Sequence, residues 1–167
     1  MVMLSAIGGG WGMLALAPLL FVARARAFAA AAALTLGANA LVVFVTKAIV
    51  GRPRPCACVP GIEALGFRAP TDGSFPSGHA AGSFAFALFF STWMLSRSPR
   101  SAFARGTSAL AIALAFGVAA SRVVLGVHFP SDVAAGAALG GLIGWAGARR
   151  SLKRLQSTDL GDGDASR

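Results

Sequence analysis

Apolar stretches at 7–23, 27–50, 77–95, 108–127 and 131–148, parted by charged or proline-rich segments, leave this chain few ways to fold. Each is near the roughly 20 residues that carry an α-helix across the hydrocarbon of a bilayer. In hydrocarbon the backbone must satisfy its own polar groups, and a helix does so within one segment. Hydrophobic residues make up 56% of the 167 and charged residues 13%, which excludes a disordered chain and does not suit an ordinary soluble domain. The expected fold is all-α: a polytopic transmembrane helix bundle of about five spans, forming one domain over 1–155. The first stretch lacks the basic leader of a secretory signal peptide and reads as a retained span. Residues 156–167 are expected to form a disordered cytoplasmic tail.

The formal net charge is +9, which in a soluble chain would point to nucleic acid. In a membrane protein the same surplus belongs to loops, and no nucleic-acid partner is expected. Five spans put Arg24 and Arg26, then Arg97, Arg100 and Arg105, then Arg149, Arg150, Lys153 and Arg154 on one side. By the positive-inside rule that side is the cytoplasm. The N-terminus and the segment 51–76 then face outward in a multi-pass protein of the cell membrane. Lys47, Arg52, Arg54, Arg68 and Arg122 also fall on the outer side, against the rule, and so require another explanation.

Residues 51–76 contain five prolines and four glycines and form a loop long enough to be functional. Its Cys56 and Cys58 have the wrong spacing for a C-x-x-C motif. A bridge between them would be strained, so free thiols are expected. In the last span Gly136, Gly140 and Gly144 form a small-xxx-small ladder, a face for close helix packing. Asn39 falls in mid-span, where it is expected to bond a neighbouring helix or to line a polar path, with packing the default reading.

The cations that break the sidedness rule share the outer side with both histidines. Lys47 is followed after six residues by Arg54, Pro76-Ser77-Gly78-His79 opens the third span, and Ser121-Arg122 precede His128 and Asp132. Ionisable groups at the ends of apolar helices are costly and mark functional sites. Pro53 and Pro55 turn the chain back over the second span, and a helix start at Ser77 and Gly78 presents amides to anions. Spacing of i, i+4 lets Asp132 accept a proton from one imidazole nitrogen of His128 and leave the other as a nucleophile. His79 is then available as the acid. Cations, helix amides and paired histidines suit phosphoryl transfer, where charge spreads over the equatorial oxygens. Taken singly, each of these residues has a blander reading as a snorkelling or interfacial side chain.

Three segments, KAIVGRPRP (47–55), PSGH (76–79) and SRVVLGVHFPSD (121–132), together resemble the type 2 phosphatidic acid phosphatases, which share their site with vanadium haloperoxidases. They span about the central half of the chain and match at every signature position. The resemblance implies that His128 attacks phosphorus, that Asp132 orients it, and that His79 protonates the leaving oxygen and later activates water. It implies that Lys47, Arg54 and Arg122, with Ser77 and the Gly78 amide, hold the phosphoryl oxygens, with Arg52 and Ser121 as further candidates. It implies no metal and no cofactor. Integral members typically have six spans and this chain has five by the present count, which makes a homodimer a reasonable expectation.

The function expected is a membrane lipid phosphatase acting on a polyprenyl diphosphate, phosphatidylglycerophosphate, phosphatidic acid or a prenyl-phosphosugar. Alternatives are a lipid phosphotransferase using the same phosphohistidine and a non-catalytic transporter of anionic lipid. A haloperoxidase fits so apolar a chain less well.

Overall fold

The computed structural model describes residues 22–23, 25–65 and 70–164. The expected span at 7–23 lies almost wholly outside the described residues. Four long helices follow: α1 (Arg26–Val50), α3 (Gly78–Arg97), α4 (Ala102–Val124) and α5 (Pro130–Asp164), with a single-turn helix α2 (Pro55–Cys58) inside the 51–76 loop. Of these, α1 and α4 are long and apolar enough to cross a membrane.

The sequence sets the helix ends. Gly51 adopts φ 57° and its N–H donates to the Lys47 carbonyl at 3.0 Å, closing α1 with the left-handed residue that glycine tolerates. Pro55 supplies the first residue of α2. Ser77 and Ser101 cap α3 and α4 by accepting from the N–H groups of Ala80 and Ala104. Pro130 begins α5, with Asp132 in its first turn. This last helix runs to Asp164, so the tail expected at 156–167 is helical over 156–164. The reason is local: Ser151 to Gln156 contain good helix formers, and no glycine interrupts before Gly161.

Helix α3 is central and packs chiefly on α5 and α4. Lipid tails are as apolar as leucine, so contact between membrane helices depends on close packing rather than on hydrophobic burial. The seam between α3 and α5 achieves it with glycine. A Cβ placed on Gly136, Gly140 or Gly144 would run into the backbone carbonyls of Ser77, Ala81 and Ala85 respectively. Gly147 does the same against the Thr35 side chain of α1. Ala32, Leu36, Ala85, Phe89, Trp93 and Ala148 form one buried cluster that continues from the seam. Phe28 packs edge-on to Trp93, with ring centroids 5.4 Å apart. A second cluster joins Ala80, Phe84, Ala87, Ala115 and Ala119. Leu34, Phe44, Ile49, Phe103 and Leu110 point outward and are exposed, which suits a lipid-facing surface. Asn39 is buried, and its Oδ1 has no hydrogen-bond partner, so the bond to a neighbouring helix expected for it is not made through that oxygen.

The two ends of the bundle differ in charge and aromatic content. Arg97 lies over the Trp93 ring at 5.8 Å and Arg149 over Trp145 at 5.3 Å, an arrangement typical of a membrane interface. At the other end meet the C-termini of α1 and α4 and the N-termini of α3 and α5. A hydrogen bond of 3.0 Å from the Ser77 N–H to the Asp132 carbonyl ties the last two together.

Replacing Gly140 by Leu should destabilise the bundle by about 3 kcal/mol or more through overpacking. Gly37, whose Cβ would meet nothing within 4 Å, should tolerate alanine with unchanged or slightly higher stability. Thermal unfolding of both variants in detergent, followed by tryptophan fluorescence, checks the contrast.

Candidate active site

Chain geometry brings together residues distant in sequence. Lys47 sits in the last turn of α1, and after Gly51 the prolines return the chain across the helix end so that Arg54 points inward. The segment 70–77 lies alongside: the Ser74 N–H donates to the Arg52 carbonyl at 2.8 Å, and the Ser74 hydroxyl donates to the Pro53 carbonyl at 3.0 Å. Across from it runs the connection between α4 and α5. Gly126 turns there with φ 71° close against the Glu63 carbonyl, which a side chain would strike. The Cys56 N–H donates to the Gly126 carbonyl at 3.2 Å, and both cysteines are free thiols.

Arg54 is the hub. Its Nη1 donates to the Val127 carbonyl at 2.9 Å and lies 3.2 Å from His128 Nε2, while Nε donates to the Asp72 carbonyl at 3.0 Å. Its Nη2 donates to Asp72 Oδ1 at 2.7 Å. Lys47 Nζ donates to the other carboxylate oxygen of Asp72, also at 2.7 Å, and to the Gly73 carbonyl. One carboxylate therefore spans two of the three expected phosphate-binding cations. Burial raises the Asp72 pKa, but hydrogen bonds from Lys47 and Arg54 and their charges outweigh it and hold the group below its ordinary 3.8.

His128 follows the turn at Gly126 and is almost fully buried. Since the Arg54 guanidinium has only donors, Nε2 takes the accepting role and the proton belongs on Nδ1, which faces Asp132 Oδ2 at 3.7 Å. That distance exceeds a hydrogen bond, and Nδ1 is without a partner. The sequence spacing led to the expectation of a direct bond. Asp132 is instead engaged elsewhere: Oδ2 accepts from the Phe129 N–H at 2.9 Å and Oδ1 from Arg52 at 2.7 Å. Arg52 also donates to the Ser131 hydroxyl and lies over the Phe129 ring at 4.1 Å. Desolvation, followed by the charges of Arg54 and Lys47, lowers the His128 pKa to about 4, with the Ser74 backbone and Asp132 acting in the opposite direction.

Arg122, in the last turn of α4, is buried and donates through Nε and Nη2 to the Ser121 hydroxyl at 3.1 and 3.0 Å. Ser121 in turn donates to the Val118 carbonyl at 2.6 Å. Ser77 is fully buried at the start of α3, with Gly78 and the half-buried His79 in its first turn. Two contributors escaped the sequence reading. Asp72 is one of few acids in the sequence, and nothing in PTDGS marks it as more than a turn. Ser74 is fully buried yet carries no motif. Among the described residues no three His, Cys, Asp or Glu side chains cluster as metal ligands.

An apolar helical bundle bearing a cluster of cations and histidines at one end defines a membrane phosphatase-type protein. The chain belongs to the PAP2 superfamily, whose sequence pattern matches residues 28–155, and within it to the lipid phosphatases. It is 37% identical over 137 residues to the decaprenylphosphoryl-5-phosphoribose phosphatase of Mycobacterium tuberculosis, covering 81% of this chain and 68% of that protein. It is also 37% identical over 86 residues to the lipid A 4'-phosphatase of Bacteroides thetaiotaomicron, covering 50% of this chain and 35% of that protein. Its fold is similar to a transmembrane PAP2-type phosphatidylglycerolphosphate phosphatase of Bacillus subtilis, with TM-score 0.75, 25% identity and coverage of 91% and 75% of the two chains. Aquifex aeolicus LpxE is similar with TM-score 0.70 and 25% identity, covering 89% and 82%. These relatives and the two apolar helices give the protein a membrane location.

A depressed His128 pKa has a measurable sign. The folded value lies below the ordinary 6.5, so the imidazole stays neutral as pH falls from 7 and protonates only near 4. Between those values the unfolded chain binds a proton that the folded one does not, and stability declines with acidification before levelling below 4. Nitrogen NMR of labelled imidazoles in micelles has only two histidines to follow. One resonance should titrate near 4 and move upward in Arg54→Met; both titrating at 6.5 or above would contradict the geometry.

Proposed function

We propose that the protein hydrolyses the terminal phosphate of a membrane lipid through a phosphohistidine on His128, without metal. The supporting observation is the pairing of a buried, neutral His128 with Arg54 at 3.2 Å, beside Lys47. A phosphoryl group held by these cations lies next to Nε2, the nitrogen that bears a lone pair. Attack forms the N–P bond and breaks the bond to the lipid oxygen, which takes a proton from His79. His79 then removes a proton from water, which attacks the phosphohistidine and releases inorganic phosphate. Imidazolium character grows on His128 in the transition state, and the Asp132 carboxylate stabilises it. Arg122, Ser77 and the Gly78 amide complete the charge neutralisation. Arg52 holds Asp132 in place.

The site stands at the end of apolar helices, which suits a substrate whose tail stays in the bilayer. The opposite end carries Arg26, Arg97, Arg149 and Arg150, which supports a cytoplasmic C-terminus and an extracytoplasmic site. Similarity to an enzyme named for decaprenylphosphoryl-5-phosphoribose puts prenyl-phosphosugars first among substrates to try. Polyprenyl diphosphate, phosphatidylglycerophosphate and phosphatidic acid follow.

Purified protein in detergent with excess EDTA should release inorganic phosphate from at least one of these lipids, and His128→Ala should lose about a thousand-fold or more in kcat/KM. A phosphorylated lipid in place of free phosphate would indicate transfer, and lipid binding with no phosphate release from any of these substrates would favour transport.

A further inference from the structure

The Asp72 carboxylate occupies the cation pair that the proposed reaction needs for phosphate. Its two oxygens each take one cation at 2.7 Å, Lys47 on one side and Arg54 on the other. The side chains of Lys47 and Arg54 are 13% and 6% exposed, whereas that of Asp72 is 56% exposed. The carboxylate is therefore the outermost member of the triad, placed between the cations and the solvent. It is attached through a loop, and among the described residues its side chain bonds to these two cations.

We propose that Asp72 is a specificity-determining residue, an intramolecular competitor that makes the cationic pocket select terminal phosphates over phosphodiesters. The inference rests on the phosphate-site reading above. A bilayer is crowded with diester phospholipids, each presenting two charged oxygens and one negative charge. Such a group offers Lys47 and Arg54 no more than the carboxylate already gives them, so exchange brings little gain. A terminal phosphate presents three free oxygens and up to two charges, and so gains further contacts with the helix amides and the remaining cation. Without Asp72 the pocket would hold any anionic lipid headgroup, and the membrane itself would act as an inhibitor. After hydrolysis the returning carboxylate also helps to expel inorganic phosphate.

The test compares wild type, Asp72→Asn and Lys47→Met in detergent micelles. Rates are measured on a lipid phosphomonoester, with phosphatidylglycerol or inorganic phosphate added as inhibitors. Asp72→Asn keeps the shape and removes the charge. Inhibition by phosphatidylglycerol should tighten about five-fold or more relative to wild type, as expected from releasing two partly exposed charge pairs. Inhibition by inorganic phosphate should tighten too, and KM should not rise. Unchanged or weaker inhibition by phosphatidylglycerol in a variant that keeps wild-type thermal stability would overturn the proposal. So would a raised KM, which would make Asp72 a positioning residue for the cations. Lys47→Met reports on the underlying reading: if it hydrolyses the lipid as well as wild type, the phosphate site itself has been misplaced. Should Asp72→Asn fold poorly, Asp72→Ser in the same assay carries the same expectation.

Discussion

The close seam between α3 and α5 is the contact on which the rest of the molecule depends. Backbone meets backbone there only because residues 136, 140 and 144 lack a Cβ. This brings the two N-termini level, and the Ser77 N–H reaches the Asp132 carbonyl. Level N-termini put Ser77, Gly78 and His79 on one side of the site and His128 and Asp132 on the other. If α5 slid along α3, the catalytic candidates would separate even though every local motif remained intact. A packing feature in the middle of the bundle thus sets the geometry at its end.

Charge organises the same end of the bundle. Lys47, Arg52, Arg54 and Arg122 are gathered where the environment is partly desolvated, which would be unfavourable without anions or acceptors to receive them. Each has one: Asp72 for Lys47 and Arg54, Asp132 for Arg52, and the Ser121 hydroxyl for Arg122. The resting site thus gives every cation an acceptor while two carboxylates against four cations leave it net positive. On the proposed reaction a phosphoryl group would enter by exchange, replacing acceptors the protein supplies; burial, followed by the charges of Arg54 and Lys47, lowers the His128 pKa.

Much of the helix framework was legible in the sequence because apolar runs have a clear length and clear stops. Gly51 ends α1 and Pro130 begins α5, and both follow from backbone chemistry alone. The glycine ladder was legible as a packing face, although its partner Ser77-Ala81-Ala85 was not, since spacing shows a face but not what lies against it. The far end of α5 reads in the sequence as a polar tail, whereas the helix formers around Lys153 and Arg154 carry the helix on to Asp164. Asp72 stayed hidden for a different reason: its importance comes from meeting Lys47, 25 residues away, and Arg54, 18 residues away. Similarly, i, i+4 spacing put Asp132 near His128 but did not reveal that Arg52 and the Phe129 N–H hold the carboxylate at 3.7 Å from the imidazole.

Central to this account is a covalent phosphoryl group on one particular nitrogen-bearing side chain. Rapid quenching of the turnover reaction under alkaline conditions, followed by mass spectrometry of the peptides, looks for it directly. The account predicts an acid-labile, alkali-stable phosphate on His128 that appears before free phosphate and is absent in His128→Ala. Steady turnover with no such adduct at any quench time, or an adduct on His79 instead, would contradict it.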